Sequence, residues 1–206
     1  MLIDFDLLSY LIGFGFLGAI LAALRVRLNK SKMYLFFFSI FFFYIINVVK
    51  FTLFPIIVGT SFAEEMKETT TIASNINLIP FNYQYIEQTL LNILLTVPFG
   101  FGLPYIKRKM NFKTIVGCGL LFTLLIETAQ LIISFIIGYA YRIIDINDVL
   151  ANLFGVIIGY IAFLLFSKMI LWIIEKYIPK NEKLSPFLLY INKVSKNESF
   201  KFKDTV

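Results

Sequence analysis

Five stretches of this chain are long and apolar enough to cross a bilayer as helices, and that limits the fold before any motif is considered. A hydrocarbon core about 30 Å thick takes about 20 apolar residues in helical form. Leu7–Leu24 is uncharged, and Met33–Val49 is uncharged and runs on past Lys50 to Val58. Thr89–Ile106 carries Asn92 as its strongly polar residue. Ile115–Ile137 contains Glu127 and Gln130, and Val149–Ile174 contains Asn152 early and Lys168 late. The pattern predicts an all-α, polytopic membrane helix bundle with five transmembrane helices over residues 1–174, followed by a basic tail over 175–206. Composition agrees: 59% of residues are hydrophobic and 24 are Phe, against about 45–50% apolar in a soluble domain. Asp4 and Asp6 precede the first span with no Lys or Arg, the reverse of a cleaved signal segment, so it reads as a retained span.

Basic residues set the expected orientation. Arg25, Arg27, Lys30 and Lys32 crowd the first short loop, and Lys107, Arg108, Lys109 and Lys113 crowd the third. The tail carries Lys176, Lys180, Lys183, Lys193, Lys196, Lys201 and Lys203, whereas the other two loops hold only Lys67 and Arg142. The positive-inside rule then places the N-terminus outside and the C-terminus in the cytoplasm of a multi-pass cell-membrane protein. In the outward loop from Gly59 to Ile86, an acidic and Thr-rich half precedes the apolar Asn77-Leu78-Ile79-Pro80-Phe81. That second half either dips into the interface or forms a solvated loop. Ser185-Pro186 followed by Phe187, Leu188, Ile191 and Val194 has the cap and spacing of a short amphipathic helix on the inner surface. The alternative is an unstructured tail.

Ionisable groups are scarce in the spans, and each is a candidate for function. A charge at the bilayer centre costs about 2.5–3.5 kcal/mol on insertion scales. Glu127 lies 14 residues beyond Lys113, or about 21 Å along a helix, in the outer half of the membrane. Its side chain is too short to snorkel out. Gln130 shares its face. Lys50, Asn92, Arg142, Asp145 and Asp148 reach the same level, and Asp145, Asp148 and Asn152 align on one helix face. Gly155 and Gly159 extend that stripe with the spacing of a close helix contact. Taken singly, the aspartates could be caps, the asparagines interhelical glue and Lys50 a snorkelling residue. The chain has no His, so acid–base chemistry would fall to carboxylates, Lys or Tyr. Cys118 is alone and reads as a small core residue. Nothing in the chain calls for a metal or other cofactor, and no nucleic-acid motif is present.

The strings Asn77-x-x-Pro80-Phe81, Asn92-Ile-Leu-Leu-x-x-Pro98-Phe99-Gly100, Ile126-Glu127-x-x-Gln130 and Arg142-x-x-Asp145-x-x-Asp148-x-x-x-Asn152-x-x-Gly155-x-x-x-Gly159 resemble the VanZ-like family, as does Lys50-x-Thr52-Leu53-x-Pro55. The resemblance covers about residues 33–165. It implies a small envelope protein of Gram-positive bacteria, with a link to teicoplanin resistance, and it transfers no catalytic residues. Three functions stay open. One is an outward polar site (Lys50, Asn77, Asn92, Glu127, Gln130, Arg142, Asp145, Asp148 and Asn152) that binds a lipid-linked cell-wall intermediate. In that reading Arg142 and Lys50 meet phosphate. The second is a membrane-embedded enzyme on such a lipid, with the carboxylates as acid and base or Asp145 and Asp148 on a hard cation such as Mg²⁺. The third is a small transporter component with Glu127 as proton site, which would need a homo-oligomer because five spans are few.

Overall fold

The computed structural model of the protein describes residues 1–81, 86–107, 109–179 and 182–197. In chain order its helices are α1 (Leu7–Val26), α2 (Lys32–Leu53), α3 (Ser61–Thr69), α4 (Ile86–Ile106), α5 (Phe112–Ile137), α6 (Ile146–Tyr177) and α7 (Pro186–Ser195). The five long ones, α1, α2, α4, α5 and α6, are long and apolar enough to cross a membrane. Among the described residues, extended structure is confined to two-residue pairs. β1 (Leu2–Ile3) runs antiparallel to β2 (Ile56–Ile57), and β3 (Ile76–Asn77) runs parallel to β4 (Ile144–Asp145). The chain is an all-α multi-pass membrane protein.

Helix starts follow their caps. Asp6, Ser31, Thr60, Asn111, Asp145 and Ser185 each accept a backbone N–H of the first turn. Ser9 N–H bonding holds the exposed Asp6 carboxyl below its ordinary range. Gly138, in the left-handed region at φ 85°, closes α5. The helices outrun their apolar stretches, most clearly where α4 begins at Ile86 rather than Thr89 and α6 covers Ile146–Tyr177 rather than Val149–Ile174. The first turns of these two are polar and belong to the membrane margin, which an apolarity count does not see.

The centre of the bundle is the contact between α4 and α6. A β-carbon added at Gly155 would overlap the Ile93 carbonyl oxygen, one at Gly159 that of Val97, and one at Gly100 that of Val156. The two backbones therefore touch along about two turns, and only glycine permits it. The Thr96 hydroxyl crosses the seam to the Asn152 carbonyl at 2.7 Å. Pro98 interrupts α4 at this level. The Tyr44 phenol of α2 donates to Leu95 O at 2.8 Å, and its own oxygen faces the Phe99 N–H. An inserted side chain thus serves the backbone where proline disturbs it. α5 packs on α6 through Gly119 against Val156 and Leu153, and Phe99 stacks on Phe122 with centroids 4.2 Å apart. α1 is peripheral: it buries no residue and meets α2 through Gly13 on Ile46 and Phe14 on Phe43.

Polarity is distributed as lipid requires. Leu121, Leu125, Ile132, Phe135, Ile136 and Leu165 point outward, while Asn92, Thr96, Thr123, Glu127, Gln130, Ser134 and Asn152 are buried. Among the described residues of the Gly59–Ile86 loop, the acidic half forms α3, anchored by fully buried Ala63. The apolar half contributes β3 and leaves Leu78, Ile79 and Phe81 exposed. Residues 82–85 of that loop lie outside the described residues, as do Arg108, Lys180, Lys201 and Lys203 of the basic clusters. The amphipathic stretch at Ser185 does form a helix, α7. Its Tyr190 and Ile191 are buried on the bundle, so protein covers much of the face expected to meet lipid. Phe37 stacks on both Tyr105 and Tyr190, at 4.7 and 5.1 Å.

Gly159→Ala is expected to destabilise the detergent-solubilised protein by about 1–3 kcal/mol or to stop its accumulation, because a backbone carbonyl cannot yield as a side chain can. Gly117→Ala has nothing within 4 Å of the new methyl. It should be neutral, or stabilising by up to about 1 kcal/mol from helix propensity. Thermal denaturation of both variants checks the pair.

Candidate functional site

The end of α2 organises one end of the bundle. A helix leaves its last four carbonyls without intrahelical partners, and here each finds a donor. Phe54 N–H meets Lys50 O at 3.2 Å, Arg142 Nη2 meets Phe51 O at 3.4 Å, Gln130 Nε2 meets Thr52 O at 3.0 Å and Tyr141 OH meets Leu53 O at 3.5 Å. Arg142 Nη2 also donates to Phe54 O at 3.0 Å, and Tyr139 OH to Ile57 O at 2.6 Å. A guanidinium is well placed at the negative end of a helix dipole. Burial pushes the Tyr141 phenol above its ordinary range, and the adjacent Arg142 opposes that shift.

The start of α6 organises the neighbouring carboxylates. Asp145 Oδ1 caps the helix by accepting Asn147 N–H at 2.8 Å. It also accepts the side-chain amides of Asn147 at 2.7 Å and Asn77 at 3.1 Å. The β3–β4 pair sets Asn77 opposite Asp145, and the Asn147 amide returns to Ile79 O at 3.0 Å. Asp148, in the first turn, takes a hydrogen bond from the Asn92 side chain. Asn92 Oδ1 is held by Gln88 Nε2 at 3.2 Å. Glu127 faces the Asp145 backbone N–H, with the Asp148 and Asp145 carboxyls near enough to act on it electrostatically. Three carboxyls thus gather at the N-terminus of α6, where the helix dipole and its free N–H groups favour negative charge. Asn152 lies one level deeper and donates to Thr123 Oγ1 at 3.1 Å.

Burial is graded. Asp145, Asp148 and Arg142 are half-buried, while Glu127 is 7% and Asn152 3% exposed. Three atoms of the cluster are buried without a hydrogen-bond partner: Glu127 Oε2 and Asn152 Oδ1 in its deeper part, and Arg142 Nε beside it. A buried unpaired polar group costs about 1–3 kcal/mol. What completes the two oxygens must bring N–H or O–H groups, whereas Arg142 Nε is itself a donor. No group of three or more His, Cys, Asp or Glu among the described residues has the arrangement to hold a metal ion.

The structure therefore brings together Asn77, Asn92, Glu127, Asp145, Asp148 and Asn152. Gln130 and Arg142 sit beside them, committed to the end of α2. Lys50 turns toward α1, its ammonium 5.4 Å from the centroid of the Tyr10 ring. Sequence reasoning missed Thr96, Thr123 and Asn147, since short polar residues in apolar runs are common. One signal was present: Thr123 lies four residues before Glu127, and Thr96 four after Asn92, on the same helix faces.

A family model described as VanZ/LLP1 matches residues 41–167, more than half of the chain. The chain belongs to the VanZ/LLP1 family. The matched stretch runs from within α2 to Ser167 of α6, so the VanZ/LLP1 segment contains the whole polar cluster and leaves out α1 and α7. No curated protein and no solved structure matches the chain.

Asp145→Ala removes the acceptor shared by Asn77 and Asn147 and is expected to destabilise the fold by about 1–3 kcal/mol. Asp145→Asn keeps an Oδ1 and caps about as well, so it should stay near wild type. Equal losses in both variants would show that charge, not the cap, holds the junction.

Proposed function

We propose that the polar cluster between α4, α5 and α6 binds the hydroxyl- or ammonium-bearing head of a lipid-linked cell-wall intermediate at the outer face of a bacterial cell membrane. The observation that carries this reading is the pair of buried acceptors, Glu127 Oε2 and Asn152 Oδ1, left without donors at membrane depth. Sugar hydroxyls and peptide amines supply such donors. Phosphate offers only acceptors at neutral pH, which the site already has in excess. Arg142 supports the site by holding the end of α2 and by setting a positive charge near Asp148. Through this binding the protein would alter how a glycopeptide such as teicoplanin reaches its target.

The test is binding of labelled lipid-linked peptidoglycan precursor to the purified protein, with the corresponding sugar-free isoprenoid phosphate as control. The precursor should bind and the control should not. Glu127→Gln turns one acceptor into a donor and should weaken binding roughly ten- to hundredfold, as expected for a hydrogen bond to a charged group. Equal binding of the sugar-free lipid would defeat the reading, and appearance of a processed product would replace binding with catalysis.

The orientation rests on the basic loops. In a Cys118→Ala background, Glu65→Cys should react with an impermeant thiol reagent on intact cells. Lys109→Cys should react only after permeabilisation. The reverse pattern would put the cluster on the cytoplasmic side.

A further inference from the structure

At the opposite end of the bundle, a cavity of about 130 Å³ lies between α4, α6 and α7. It has no connection with the carboxylate cluster. Its walls include the Tyr105, Tyr160 and Tyr190 rings, and Lys109 and Leu164 line it as well, both exposed. The tyrosine hydroxyls of the walls are partly spent: Tyr190 OH donates to Tyr105 O at 2.6 Å and Tyr160 OH to Met110 O at 3.4 Å. Ser195 also lines the space, and its Oγ is buried without a hydrogen-bond partner. A second cation stands close by, since Lys30 Nζ is 4.7 Å from the centroid of Tyr34, another lining ring.

We propose that this cavity holds the phosphate head group of an anionic phospholipid. A hydroxyl with its proton to give and an ammonium at the rim both call for an acceptor, and the surrounding charge calls for an anion. The position fits a lipid rather than a soluble phosphate ester. The cavity lies where α4 ends at Ile106 and α7 folds across, at the level of the membrane margin. Leu164, 41% exposed, continues from its edge onto the apolar outside of α6, where an acyl chain would lie. Aromatic side chains concentrate at this depth of a bilayer, and basic pockets between helices bind anionic head groups. α7 thereby acquires a role beyond covering the bundle: it closes the site and brings Ser195 to it.

The test uses the full chain in nonionic detergent, offered phosphatidylglycerol, phosphatidylcholine or glycerol 3-phosphate, with bound species read by native mass spectrometry. Phosphatidylglycerol should be retained roughly tenfold over phosphatidylcholine. Lys109→Glu reverses the rim charge and Ser195→Leu fills the space; each should reduce that retention by roughly tenfold. Arg27→Glu makes the same charge change at an exposed position after α1, a helix that lines none of the cavity, and should have little effect. Equal loss with Arg27→Glu and Lys109→Glu would mean general surface attraction and would overturn the proposal. So would unchanged retention in Ser195→Leu, or binding of glycerol 3-phosphate without retention of the lipid.

Discussion

The close contact of α4 with α6 is the constraint on which the rest of this bundle depends. Three glycines let two backbones meet, and a threonine hydroxyl binds across the seam to a main-chain carbonyl. That proximity brings Asn92 within reach of Asp148 and lets Thr96 and Asn152 share one plane. With a larger residue at Gly155 or Gly159 the helices would separate, and the polar groups along the seam would lose one another in a solvent that cannot replace them. Packing and polarity are therefore one problem here. The residues that hold the helices together are next to those that make up the candidate site.

The two ends of the molecule are built differently. At the carboxylate end, irregular backbone is stabilised by polar side chains. The terminal carbonyls of α2 are met by Arg142, Gln130 and Tyr141, and the first turn of α6 is met by Asp145 and Asn77. Non-helical backbone near membrane depth needs such service. At the other end the closure is aromatic, with Phe37 stacked between Tyr105 and Tyr190 and α7 lying over them. The first end can hold a partner through directed hydrogen bonds. The second offers a shaped, largely apolar space with charge at its rim.

This arrangement changes the roles of individual residues. Arg142 and Lys50, natural phosphate ligands by type, are occupied by α2 carbonyls and by the Tyr10 ring. The buried atoms left open are two oxygens, Glu127 Oε2 and Asn152 Oδ1, and one donor, Arg142 Nε. Most of the hydrogen-bonding capacity of the two cations is thus engaged within the protein.

Much of the fold was legible in the residues alone. Five long apolar runs dictate five helices, because a bilayer demands that length and composition. The shared face of Glu127 and Gln130 and the stripe from Asp145 to Gly159 followed from helical periodicity. The VanZ-like strings marked the same segment that the family match covers. What the residues could not state is which face meets which partner. A glycine pair says that some helix comes close, and only packing made that helix α4 with its own Gly100. An arginine near the membrane margin could bind phosphate, carboxylate or carbonyl, and tertiary placement beside the end of α2 decided among them. The amphipathic stretch at Ser185 read as a helix on the inner surface, with an unstructured tail as the alternative; it forms the helix, and packing places its Tyr190 and Ile191 on the bundle. Periodicity and composition are properties of one segment at a time, whereas partner choice depends on residues dozens of positions away, brought near only by the fold.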